Sequence, residues 1–109
     1  MNLEAHWTVT TFDDRIEAVD PKGEVHSVAL ADISGVMIET NDTGPIGTDV
    51  WWLLFGADSR LACTFPQGAD GEEEAVARLM GLPGFDHEAM ILAMGSTTNA
   101  VFPVWRAAP

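Results

Sequence analysis

Two apolar runs rich in β-branched and aromatic residues, Val36 to Thr40 and Val50 to Phe55, flank a Gly/Pro/Asn/Asp segment without strand character. Runs joined in this way form a β-hairpin with an elaborate loop, and this pair carries the densest apolar surface in the chain. The loop gathers Asn41, Asp42, Thr43 and Asp49 at one end of the expected sheet. Within the second run Trp51 and Trp52 are adjacent, and adjacent strand residues point to opposite faces. Val50, Trp52 and Leu54 form one set and Trp51, Leu53 and Phe55 the other. Both sets are apolar, so the alternation does not decide which one faces inward. The strand is either buried on both faces, as the closed end of a bent sheet would bury it, or leaves an apolar patch beside Asp42 and Asp49, and we expect Trp51 to be the partly exposed member, beside the acidic loop. An apolar patch rimmed by polar residues marks an interaction surface, and Trp is enriched among residues that carry binding energy. Asn41, Asp42, Thr43, Asp49 and Trp51 are therefore the candidate binding residues; Trp7 and Trp105, near the chain ends, are weaker candidates.

The rest of the chain is read around this hairpin. His6 to Phe12 alternates as a half-buried strand does, Asp13-Asp14 turns it, and Arg15 to Asp20 is a second strand. Pro21-Lys22-Gly23 is a tight turn into a third, Val25 to Leu30. Loops this short join only antiparallel neighbours. Ala31 to Gly35 is a corner, and Arg60 to Phe65 is a further strand with Leu61, Cys63 and Phe65 on one face. After Pro66 the period changes to about 3.6. Asp70 with Glu73 is placed as a capping box, Val76, Leu79 and Met80 form a stripe, and Gly81 with Pro83 ends the helix. Asp86 caps a second helix whose stripe is Met90, Ile91 and Met94, stopped by Gly95. Ala100 to Arg106 is a last strand, restricted to an edge by Pro103.

The fold class is thus α+β: a bent antiparallel sheet of six or seven strands covered by two C-terminal helices. The expected core is Val9, Ile16, Val28, Leu30, Val36, Ile38, Leu61, Phe65, Val76, Leu79, Met90 and Ile91.

A chain of 109 residues with 47% hydrophobic and 20% charged residues has enough apolar surface for one acidic globular domain over residues 1–109. Its formal net charge of −12 repels a nucleic-acid backbone and an anionic membrane, and favours a basic protein partner. Cys63 is the single cysteine, which excludes an intramolecular disulfide and fits a reducing cytoplasm. The N-terminal residues lack the pattern of a secretion signal, so Asn41-Asp42-Thr43 is read as a chance match to a glycosylation acceptor.

No nucleophile, base and oxyanion set is legible, and we assign no catalytic residue, metal site or cofactor. His6, His26 and His87 lack the local spacing of a zinc site, and Glu39, Asp42 and Asp49 lack that of a calcium loop. Asp42-Thr43-Gly44 matches the triplet that supplies the carboxylate of aspartic proteases. That mechanism needs two aspartates sharing a proton across a dimer axis. Here Thr40-Asn41 precede the triplet and Pro45 follows it, where retroviral-type proteases have apolar and small residues. A dimeric aspartic-type hydrolase using Asp42 is the alternative to a non-catalytic protein-interaction domain, and the chain is expected to be a monomer or a homodimer.

The segments I-E-T-N-D-T-G-P, D-V-W-W-L-L, F-P-Q-G-A-D-G-E, L-P-G-F-D and A-M-G-S-T-x-N resemble those of a group of small uncharacterised bacterial proteins. The resemblance implies a bacterial, free-standing domain and carries over no functional residue. More loosely, the strand, Asp-Ile corner and strand around Leu30 to Ile38 are similar to bacterial pleckstrin-homology-like domains, curved antiparallel sheets closed by a C-terminal helix.

Overall fold

The computed structural model describes residues 6–44 and 47–108; for 42–44, 47 and 48 it describes the backbone alone. The first three strands, β1 (Thr8–Thr11), β2 (Arg15–Val19) and β3 (Val25–Ala29), form an antiparallel meander. β4 (Gly35–Gly44), β5 (Gly47–Phe55), β6 (Leu61–Pro66) and β7 (Ala100–Arg106) form a second antiparallel sheet in the order β6-β5-β4-β7. Helices α1 (Glu72–Met80) and α2 (His87–Met94) lie between β6 and β7 in sequence. No helix among the described residues is long and apolar enough to cross a membrane.

Seven strands are present among the described residues, but they make two sheets rather than the single bent sheet expected. The reason lies at the corner after β3. Leu30–Asp32 forms a single 3₁₀ turn, with the Leu30 N–H donating to the Asp14 carbonyl and the Ser34 N–H to Phe55 in the second sheet. The chain is thereby handed from one sheet to the other. β2 and β3 then pack on β6 without a shared ladder, and the Cys63 thiol lies 3.4 Å from the His26 carbonyl across that junction. β7 follows both helices, whereas the pleckstrin-homology-like plan places a helix last.

The hairpin extends further than its composition suggests. Strand pairing continues through Asn41↔Asp49 to Gly44↔Gly47, with an irregularity between, so the expected long loop is largely strand. One core joins both sheets and the helices, through Val9, Ile16, Val28, Val36, Ile38, Trp52, Phe65 and Leu79. Leu30, Val76 and Met90 pack at its margin.

Two expected core residues are outside it. Leu54 pairs with Cys63 but Phe55 with Leu61, so Ala62 is an extra residue that reverses the alternation and leaves Leu61 52% exposed. Ile91 is 66% exposed, as is Leu92, and Met94 is also exposed, because α2 meets β7 and β4 through Ala89, Met90 and Ala93. A helix apolar on nearly every side gives no periodic signal for its inward face.

The α1 cap also differs. Gly71, at φ +85°, is the N-cap and no side chain caps the helix. The Asp70 backbone pairs with β1, its N–H donating to the Trp7 carbonyl and its carbonyl accepting from the Val9 N–H. Glu72 rather than Glu73 reaches back, accepting from the Gly68 N–H at 2.7 Å. The acid run Glu72 to Glu74 lies in the first turn of α1, where the helix dipole favours it. Asp86 caps α2 as expected, accepting from the Ala89 N–H at 2.9 Å. Leu79 is fully buried. Leu79→Ala is expected to cost about 2–5 kcal/mol in a urea titration, and a loss below about 0.5 kcal/mol would show α1 misplaced.

Candidate functional site

Antiparallel pairing places Glu39 opposite Trp51 and Asn41 opposite Asp49, so these four residues share the face of the second sheet that points away from the core. Trp52 projects the other way and is fully buried, while Trp51 is only partly buried. On the far side of β5, Trp51 pairs with Pro66, and the Gln67 N–H donates to the Val50 carbonyl. That pairing brings the β6–α1 turn alongside Trp51.

Trp7 completes the site. Its ring meets that of Trp51 edge-to-face, with centroids 5.5 Å apart and an interplanar angle of 82°. Such a pair contributes about 0.5–1.5 kcal/mol beyond area burial and holds both rings in fixed orientation. Trp7, Asp49, Trp51, Pro66 and Gln67 are among the residues lining a depression of about 330 Å³. Trp7 is held there by its backbone: its carbonyl accepts from the Asp70 N–H at 3.0 Å. No local sequence signal identifies Trp7, because it reaches Trp51 only through the pairing of β1 with Asp70.

Asn41, Asp49 and Trp51 are thus brought together as the sequence suggested. The backbone of Asp42 and Thr43 runs within β4, and their side chains lie outside the described residues. Trp105 is elsewhere, its indole N–H donating to the Pro83 carbonyl at 2.7 Å, where it fastens the α1–α2 connection to β7. Thr40, at the base of the hairpin tip, is a buried polar residue that donates to the Thr98 carbonyl at 2.8 Å and lies 3.2 Å from Ser96 Oγ. The conspicuous I-E-T-N and A-M-G-S-T segments therefore meet, as a tether between the α2–β7 connection and β4.

Chemically, the site offers aromatic rings beside the exposed carboxylates of Asp49 and Glu39. That combination suits a cation, held by ring faces and carboxylates together. Burial pushes the Cys63 thiol up to about 12, so it is protonated at neutral pH and is a poor nucleophile.

At the β2–β3 turn, Asp20, Glu24 and His26 offer ligand atoms within 4.8 Å of one another. The Asp20 carboxylate and the His26 ring already serve the turn. Asp20 accepts from the Lys22 and Glu24 N–H groups, and its Oδ2 lies 3.2 Å from His26 Nε2. Desolvation pushes the Asp20 carboxyl up, but the hydrogen bonds from Glu24, His26 and Lys22 outweigh it and hold the pKa below its ordinary value. A depressed folded pKa contributes stability above the unfolded pKa that is lost as pH falls through the folded one. Asp20→Asn is therefore expected to flatten the acid limb of the stability profile below about pH 4, measured by thermal unfolding. An unchanged acid limb would remove Asp20 from that account.

No protein-family model, curated protein or solved structure matches this chain.

Proposed function

We propose that the chain is a non-catalytic protein-interaction domain that binds a basic partner through the Trp7–Trp51 face. The observation that carries this reading is the edge-to-face tryptophan pair in a depression beside Asp49, on a chain of net charge −12. A lysine or arginine of the partner would stack on the rings and face Asp49 and Glu39. Long-range attraction between the acidic chain and a basic surface would speed the encounter. An inhibitor or immunity-type protein, covering the basic surface of a nuclease or toxin, is the specific form we favour. The likeness to pleckstrin-homology-like domains belongs to the same proposal: antiparallel strands in two sheets support it, and the position of β7 departs from it.

Affinity capture from the source cell, repeated with Trp51→Ala and Asp49→Asn, tests the reading. A basic protein should be retained at low salt and released as salt rises, and Trp51→Ala should weaken the complex by about 2 kcal/mol, roughly thirtyfold. Capture unaffected by either substitution sinks the proposal. Acrylamide quenching gives an independent check on the surface. Trp51→Phe should remove much of the accessible emission, whereas Trp52→Phe should leave it; the reverse outcome would mean that the two faces are exchanged.

A further inference from the structure

A groove of about 310 Å³ runs between α1 and α2, over the sheet face opposite Trp51. Trp52 forms its floor, Val76, Ala77 and Met80 line it from α1, and Met94 lines it from α2. The α1 residues repeat at helical spacing: Glu73, Val76, Ala77 and Met80 follow one face of α1. Apolar side chains rimmed by carboxylates at this spacing match the mode in which a helix lies in a groove, and methionines adapt such a groove to its occupant.

Charge selects the occupant. Glu72 and Glu73, in the first turn of α1, line one end of the groove. A second copy of this chain would bring a net charge of −12 against −12, and an acidic segment would be repelled in the same way. A basic helix would place its cations against the glutamates while its apolar face covers Val76, Met80 and Met94. The Trp52 indole N–H, buried in the floor residue, has no hydrogen-bond acceptor among the described residues.

We infer that the groove between α1 and α2 is a second docking surface, and that it takes a basic amphipathic helix of a partner protein. It lies on the opposite face of the sheet from the Trp7–Trp51 depression and does not depend on it. The probe is a synthetic Lys/Leu peptide of about 14 residues, some four turns, with Leu at helical spacing. A peptide of the same composition with that spacing scrambled is the control, and both are titrated calorimetrically.

The amphipathic peptide should bind at least about tenfold more tightly than the scrambled one. Met80→Lys should weaken it by a similar factor, while Trp51→Ala should leave it unchanged. Should Met80→Lys fail to fold, Ala77→Arg, at an exposed position on the groove wall, blocks the same site. Equal binding of the two peptides, or no binding, overturns the proposal. So does binding lost in Trp51→Ala but kept in both groove variants, although that result would support the Trp7–Trp51 surface.

Discussion

Replacing Trp52 by alanine is expected to destabilise the fold by about 3–5 kcal/mol, among the largest losses from any single truncation in the chain. Trp52 is the largest of the fully buried side chains and belongs to the core shared by both sheets and the helices. Removing its ring leaves a cavity that Ile38 and Phe65, its neighbours across the ladder, cannot fill without leaving their own positions. Against a total stability of about 5–15 kcal/mol, typical of a domain, this loss should shift the urea midpoint far down. Trp52→Phe should cost less, because it retains a ring and removes an indole N–H that has no acceptor among the described residues. Trp51→Ala should cost about 0.5–1.5 kcal/mol through the lost contact with Trp7. Equal losses from Trp51→Ala and Trp52→Ala would show that the sheet does not separate an inner from an outer face at these positions.

Gly71→Ala is expected to cost about 3–5 kcal/mol, far above the usual effect of adding one methyl group. Two causes combine. At φ +85° the backbone is in the left-handed region, and a Cβ there would overlap the Val9 carbonyl oxygen and come 3.2 Å from its carbon. Backbone strain alone accounts for about 1–2 kcal/mol. The overlap can be relieved only by moving β1 away from residues 70 and 71, which breaks the pairing between Thr8 and Asp70 and shifts Trp7 from Trp51. Gly68→Ala is the control, because Gly68 has φ +97° with nothing within 4 Å of the added carbon. Gly68→Ala should show the backbone cost alone in urea titration. If both variants lose the same stability, β1 is not seated on the start of α1, and Trp7 has no fixed place in the site.

The features legible in the sequence are those decided within a few residues. Alternation and tight turns specify the meander Thr8–Val19–Ala29, because side-chain period and loop length leave antiparallel neighbours as the only arrangement. Asp86 before α2, Gly95 after it and Pro103 in an edge strand act through their own backbone and hydrogen bonds. The shared face of Asp49 and Trp51 was legible for the same reason: they stand two residues apart on one strand.

Tertiary structure alone decided the rest. Both faces of β5 are apolar, so only the position of the helices chose Trp52 as the inward residue and Trp51 as the outward one. α2 is apolar nearly all round, and packing through Ala93 turned Ile91 and Leu92 outward. The capping of α1 by Gly71 rather than Asp70 and the arrival of Trp7 against Trp51 each depend on a segment distant in sequence, and the extra residue at Ala62 depends on the register of β6 against β5. A local pattern records the preferences of a segment, whereas these outcomes were set by which surfaces the two sheets and two helices could bury together.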